Sequence, residues 1–197
     1  MNKIKSITAL LLLVLISYLA DAQKPARQVY SMDKNWSFHL GDAEGADKTN
    51  FNDNGWRKLN VPHDWSIELP TDENAPSEGR GGFAVTGIGW YRKTFTMPAI
   101  KPGQQTRIEF DGIYMRSEVW INGHELGKRP SGYVSFSYDL TPYLTKGKNT
   151  LAVKVDNSLQ PNSRWYTGSG IYRHVRLVIS SPLHIKQWGV YATTPEV

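Results

Sequence analysis

The chain has 197 residues, a formal net charge of +5 and no cysteine, with 40% of its residues hydrophobic and 12% aromatic. Disulfides are therefore excluded as a source of stability, and the length leaves room for one domain with a full core. The basic residues Arg57, Lys93, Arg107, Lys128, Lys154 and Arg176 are scattered instead of clustered, which argues against a nucleic-acid groove.

Residues 1–22 read as a signal peptide. Lys3 and Lys5 make a positive start, Ile7 to Ala20 is apolar, and Ala20-Asp21-Ala22 is a small-residue cleavage site, so the mature chain is expected to begin at Gln23. The apolar run is shorter than the roughly 20 residues a spanning helix needs. The expected fate is export to the periplasm or beyond, with no membrane segment after cleavage.

Strand patterns then recur at short intervals. Trp36 to Leu40 alternates apolar and polar residues, Trp90 to Phe95 follows a Gly-rich loop, and Arg107 to Phe110 alternates again. Val119-Trp120-Ile121 runs into Asn122-Gly123, a strong two-residue hairpin signal. Val134 to Tyr138, Leu151 to Val155 and Val175 to Ile179 follow. Only Thr141-Pro142-Tyr143-Leu144 reads as a helical turn, with Thr141 as cap and Pro142 in first position. Many short half-buried strands with Gly and Pro between them predict an all-β sandwich or jelly roll.

Two long irregular segments interrupt the strands. Val61 to Gly89 opens with Pro62-His63-Asp64-Trp65, and Ser158 to Gly170 leads into Ile171-Tyr172-Arg173. Loops of this length inside a compact domain are functional or disordered. The second presents Arg164, Trp165 and Tyr166 together. Aromatic faces beside charged hydrogen-bond donors suit a sugar, whose C–H faces stack on rings while its hydroxyls take directional bonds. The competing reading is a strand connection whose aromatics only cap the core. After Ser180-Ser181-Pro182, Ile185 to Ala192 alternates once more with nothing after it to pair with. It reads as the first strand of a second domain over 183–197, after a first domain over 23–182.

Six motifs resemble the N-terminal sugar-binding domain of glycoside hydrolase family 2. They are Val61 to Trp65; Gly89 to Phe95; Phe110-Asp111-Gly112; Val119 to Gly123 with Gly127; Tyr138 to Thr141; and Ser163 to Arg173. They occur in the family's order, and the last of them is most similar to secreted bacterial β-galactosidases. The resemblance implies a jelly-roll domain of the galactose-binding type, followed in a full-length parent by an immunoglobulin-like sandwich and a TIM barrel. In the family the barrel carries both catalytic glutamates of a retaining mechanism. The chain is accordingly expected to hold no catalytic residue, cofactor or metal. Its expected partners are a carbohydrate, a β-galactoside or related glycan, and the missing C-terminal domains.

The same resemblance assigns one wall of the substrate pocket to this domain, with His63, Asp64, Trp65, Arg164, Trp165 and Tyr166 as candidate contacts. In the β-galactosidase and β-glucuronidase branches an Asp two residues before the loop aromatic reaches sugar hydroxyls. Aligned on Ser169 to Arg173, that position here holds Arg164, a departure. A guanidinium only donates hydrogen bonds, so the contact cannot be the same. Arg164 is expected to pair instead with Asp64 or with a barrel carboxylate.

Single residues also carry structural expectations. Asp64 is either a cap at the start of its loop or part of the wall. Arg173 shares parity with Val175, Leu177 and Ile179, so its stem is expected on the buried face with Asp111 or Glu118 as counter-ion. Glu109 and Glu118 are expected in surface ion pairs, and Trp120 in sheet packing. Two other functions compete with the family 2 reading: a stand-alone carbohydrate-binding module, and a structural or interaction domain without a sugar site.

Overall fold

The structure is a computed structural model and describes residues 26–195. The signal-peptide reading lies outside the described residues. Ten strands form two antiparallel sheets: β1 (Arg27–Ser31), β2 (Trp36–Leu40), β3 (Arg57–Leu59), β4 (Gly87–Thr96), β5 (Gln105–Phe110), β6 (Ser117–Ile121), β7 (His124–Arg129), β8 (Phe136–Asp139), β9 (Lys148–Asn157) and β10 (Val175–Ser180). A four-stranded sheet runs β1-β10-β5-β8 and a six-stranded sheet runs β3-β2-β4-β9-β6-β7. The fold is thus an all-β sandwich with the layer arrangement of a jelly roll.

Residue parity explains the layers. In β9, Leu151, Val153 and Val155 are fully buried on one face, and in β10 Val175, Leu177 and Ile179 are buried as well. Both rows meet Trp36, Tyr91, Ile108, Phe110 and Ile121 between the sheets. Each such side chain contributes about 2–3 kcal/mol by leaving water. A smaller apolar cluster lies elsewhere, where Trp90, Ala152 and Ala46 pack with Trp56 and Trp120. Trp90 and Trp120 stack at 5.4 Å, so Trp120 serves sheet packing. The turn β6–β7 has Asn122 at φ 52° and Gly123 at φ 82°, the left-handed pair a tight hairpin needs.

The register of the six-stranded sheet places the two long loops together. β4 and β9 pair antiparallel along their whole length, with Gly87 opposite Asn157. The loop entering β4 and the loop leaving β9 therefore start from the same end of the sandwich.

Several expectations change. Residues 183–195 form no strand, and Leu183, Ile185, Trp188, Val190 and Tyr191 are exposed. Alternation alone does not make a strand where no partner edge receives it. The turn at Thr141–Tyr143 is a 3-10 helix, but its backbone is held by Asp139, whose Oδ1 accepts from Thr141 N at 2.9 Å; the Thr141 hydroxyl accepts from Thr106 N. Arg173 precedes β10, is exposed and lies over the Tyr172 ring at 5.3 Å. Its expected counter-ions are taken: Asp111 holds Arg176 at 2.6 Å and Glu118 holds Lys128 at 2.8 Å. Glu109 is ion-paired with Arg27 and Arg107 but buried, not on the surface.

Candidate functional site

Asp64 joins the two long loops. Its backbone is extended (φ −132°, ψ 107°) and its Oδ1 accepts from Ser66 N at 3.0 Å, capping the short helix α1 (Trp65–Glu68). The same oxygen accepts from Ser169 N of the second loop at 2.8 Å, and Oδ2 accepts from the Tyr166 hydroxyl at 2.5 Å. Asp64 is therefore the expected cap and, with the same side chain, a tie between the two loops. Burial, with the Asp64 carboxylate beside it, raises the Tyr166 phenol far above its usual range, so it stays a proton donor.

Further bonds close the seam. His63 N donates to Ile171 O at 2.8 Å and Trp65 N to Ser169 O at 3.1 Å. Asn157 Nδ2 donates to Ser169 Oγ at 2.8 Å, the Ser169 and Ser66 hydroxyls meet at 2.7 Å, and Ser66 Oγ donates to Val85 O at 2.8 Å. This polar line crosses both loops with its buried members satisfied, which fixes the backbone instead of costing stability. Gly168 and Gly170 make the approach possible. Gly168 has φ +69° and a Cβ there would lie 2.6 Å from Asp64 Oδ2; Gly170 has φ +122° and a Cβ would lie 2.3 Å from Tyr91 Oη.

Of the sequence candidates, His63 and Trp65 face inward. His63 is buried, with Nδ1 2.7 Å from the Tyr91 hydroxyl and Nε2 3.2 Å from Glu68 Oε2. Arg57 grips Glu68 at 2.6 and 2.9 Å. Arg57 holds the Glu68 carboxyl down at about 2, while burial pushes the His63 imidazole below its ordinary value. The relay is therefore a neutral His63 accepting from Tyr91 and donating to an ionised Glu68. Trp65 is buried and stacks on Phe38 at 5.7 Å. Both side chains are thus turned into the core, unlike the outward-facing aromatics of the second loop.

Trp165 and Tyr166 face outward, at 59% and 43% exposure. The Trp165 indole is oriented by donation from Nε1 to the Tyr133 hydroxyl at 3.0 Å. Tyr133 is itself 55% exposed and packs edge-on to Tyr114 at 5.4 Å. The sequence reading missed Tyr133 because Val134 to Tyr138 read as one strand; β8 starts only at Phe136 and leaves Tyr133 on the surface. Arg164 is exposed and makes no ion pair with Asp64, whose oxygens are taken by Ser66, Ser169 and Tyr166. The expected Arg164–Asp64 pair is therefore absent. The outward surface is one of aromatic faces and hydroxyls, suited to a polyhydroxylated ring. Among the described residues no cluster of His, Asp and Glu is arranged to hold a metal.

Residues 29–181 match the family described as glycosyl hydrolases family 2, sugar binding domain. The chain is 54% identical over 172 residues to the beta-galactosidase BoGH2A of Bacteroides ovatus, covering 87% of this chain and 20% of that protein. It is 33% identical over 173 residues to a beta-glucuronidase of Formosa agariphila, covering 81% and 18%. Among solved structures, a beta-glycosidase from Bacteroides vulgatus superposes with a TM-score of 0.76 at 54% identity, over 79% of this chain and 20% of that one. A family 2 glycosyl hydrolase from Bacteroides cellulosilyticus superposes with a TM-score of 0.81 at 44% identity, over 86% and 23%. The chain thus spans about a fifth of the length of these relatives.

Proposed function

Since the chain belongs to the sugar-binding domains of glycosyl hydrolase family 2, we propose that it forms one wall of the substrate pocket in an exported β-galactosidase-like enzyme. The observation that carries this is the Asp64 hub. One carboxylate holds the start of α1, the Ser169 amide and the Tyr166 hydroxyl, and the second loop fixed in this way carries Trp165 and Tyr166, with Trp165 bonded to Tyr133 of the β7–β8 connection. A ring stacked on Trp165 finds hydroxyl partners at its edge, as sugar recognition requires. On this reading the two carboxylates of a retaining mechanism belong to a barrel elsewhere in the enzyme, and this domain contributes binding and orientation. The leader over residues 1–22 supports export. The apolar residues of 183–195 are read as the approach to a following domain.

A single wall leaves most sugar hydroxyls in water, so the chain by itself is expected to bind at about millimolar strength or weaker. The test is a titration with methyl β-galactoside followed by indole N–H resonances. The Trp165 signal should move with saturation while those of buried Trp36 and Trp65 stay. Movement confined to residues outside the two loops would refute the assignment.

A further inference from the structure

We propose that Asn54-Gly55 is a self-modification site: in the folded chain Asn54 loses its side-chain amide as ammonia, passes through a succinimide and ends mainly as isoaspartate, which loosens the join between β3 and α1. The proposal does not depend on the wall reading above.

The chain has two Asn-Gly pairs, at 54–55 and 122–123. The fold treats them differently. Asn122 forms the β6–β7 turn with its carboxamide fully engaged. Its Nδ2 donates to Tyr143 O and to Asn149 Oδ1, both at 2.8 Å, and its Oδ1 accepts from Thr150 N at 2.9 Å. Turning that side chain toward the Gly123 amide breaks all three bonds. Asn54 and Gly55 lie in the turn before β3, and both are exposed. The turn is tied only at its flanks, where Trp56 N donates to Asp53 O at 3.0 Å and Asn54 N to Asn52 Oδ1 at 3.1 Å. Among the described residues the Asn54 carboxamide bonds to nothing and the Gly55 amide has no acceptor. Gly55 has no Cβ to shield its nitrogen, and the space a Cβ would take is empty to 4 Å.

The chemistry needs only water. The Gly55 nitrogen gives up its proton and bonds to Cγ of Asn54. The Cγ–Nδ2 bond breaks, and Nδ2 takes up a proton and leaves as ammonia. The product is a five-membered ring that shares the Gly55 nitrogen between two carbonyls. Water opens the ring at either carbonyl. Opening at Cγ restores the main chain and leaves an aspartate; opening at the backbone carbonyl routes the chain through Cγ and leaves an isoaspartate. Nothing is oxidised or reduced.

The position gives the product a structural effect. Isoaspartate adds one carbon to the main chain at the entry to β3. That strand pairs with β2 over three residues only, and its first, Arg57, grips Glu68 of α1 at 2.6 and 2.9 Å. Gly55, Arg57 and Glu68 line the same cleft of about 290 Å³. A longer backbone two residues ahead of Arg57 shifts it against Glu68 and weakens the grip.

The test is to age the purified chain at mildly alkaline pH, digest it and follow its peptides by mass spectrometry. The Asn54 peptide should gain about 1 Da and resolve into an isoaspartyl and an aspartyl form, while the Asn122 peptide keeps its amide. The rate should rise about ten-fold per pH unit, because the attacking nitrogen must first lose its proton. Gly55→Ala, which the open space accommodates, should slow the conversion about ten-fold or more by shielding that nitrogen. The aged chain should melt about 2–4 °C below the fresh one. Asn54→Asp, which adds the charge without the extra carbon, should melt with the fresh chain, as should Gly55→Ala after the same ageing. If Asn122 converts as fast as Asn54, or Asn54 keeps its amide over a time in which the urea-unfolded chain loses it, the site is overturned. If an isoaspartate-rich chain melts with the fresh one, the loosening is overturned.

Discussion

Tyr166 donates its hydroxyl proton to Asp64 at 2.5 Å, joining residues 102 positions apart in the chain. The bond ties the outward aromatic of the second loop to the residue that starts the helix of the first. Loss of the Asp64 side chain therefore releases contacts in both loops at once. Asp64→Ala orphans the amides of Ser66 and Ser169 and the Tyr166 hydroxyl. It is expected to cost about 2–3 kcal/mol in chemical denaturation, because a lost cap and a stranded buried donor add. Tyr166→Phe alone should cost about 1 kcal/mol or less, and in the double variant its cost should largely vanish.

Arg164 behaves in the opposite way. It is exposed and free of Asp64, so Arg164→Ala should leave the melting temperature within about 1–2 °C of the parent, as surface substitutions do. Combined with Asp64→Ala its effect should be additive. A thermal-melt cycle checks this, and a coupling above about 1 kcal/mol would restore the pairing that the geometry lacks.

The relay Tyr91–His63–Glu68–Arg57 sets an acid limit on the fold. The folded Glu68 carboxyl titrates at about 2, below its ordinary 4.5, so its contribution is complete above 4.5 and is lost as pH falls toward 2. His63 is also lowered, from 6.5, because burial disfavours its charged form. The unfolded chain then takes up the His63 proton first, and stability falls as pH drops below about 6.5. Both groups act in one direction. Melting temperature measured from pH 8 to pH 3 should be flat above 7 and decline below 6.5, and His63→Gln should remove the upper part of that decline.

The glycines of the seam are unequal to those of ordinary turns. Gly170→Ala places a methyl 2.3 Å from the Tyr91 hydroxyl and 2.7 Å from the His63 carbonyl, at a φ of +122°. The backbone contact cannot move aside, so the cost should be about 3 kcal/mol or more. Gly147→Ala, where nothing lies within 4 Å, should be nearly neutral. Comparing the two by urea unfolding isolates the close approach from glycine substitution in general.

Parity made most of the sandwich legible. β2, β4, β5, β6, β9 and β10 each carry a buried row that the alternation already marks, and Asn122-Gly123 named its turn. β1 was hidden because Arg27-Gln28-Val29-Tyr30-Ser31 is an edge strand, mostly exposed, with no apolar row. β3 is three residues long and holds only Leu59 partly buried. Parity also misled when carried past a strand's end, as at Arg173, where the chain has not yet entered β10. At the site, sequence separated the two loops and their chemistry, and a capping role at Asp64 was one of its readings. It did not reveal that Tyr166 and Ser169 meet that cap, since this depends on the start of β4 lying beside the end of β9. Nor did it distinguish Trp165, outward, from Trp65, whose ring is enclosed by Phe38 and Tyr91.

That distinction gives the most direct measurement of the whole account: kinetics and melting of Trp165→Ala and Trp65→Ala in the full-length enzyme, with nitrophenyl β-galactoside and nitrophenyl β-glucuronide. Trp165→Ala should raise KM about ten-fold for the better substrate, the loss of one stacked ring, with the melting temperature unchanged. Trp65→Ala should instead destabilise the fold by about 3–5 kcal/mol, the cost of emptying a core indole. If Trp165→Ala leaves KM untouched for both substrates while the protein stays folded, the aromatic surface held by Asp64 is not a wall of the sugar site, and the central claim fails.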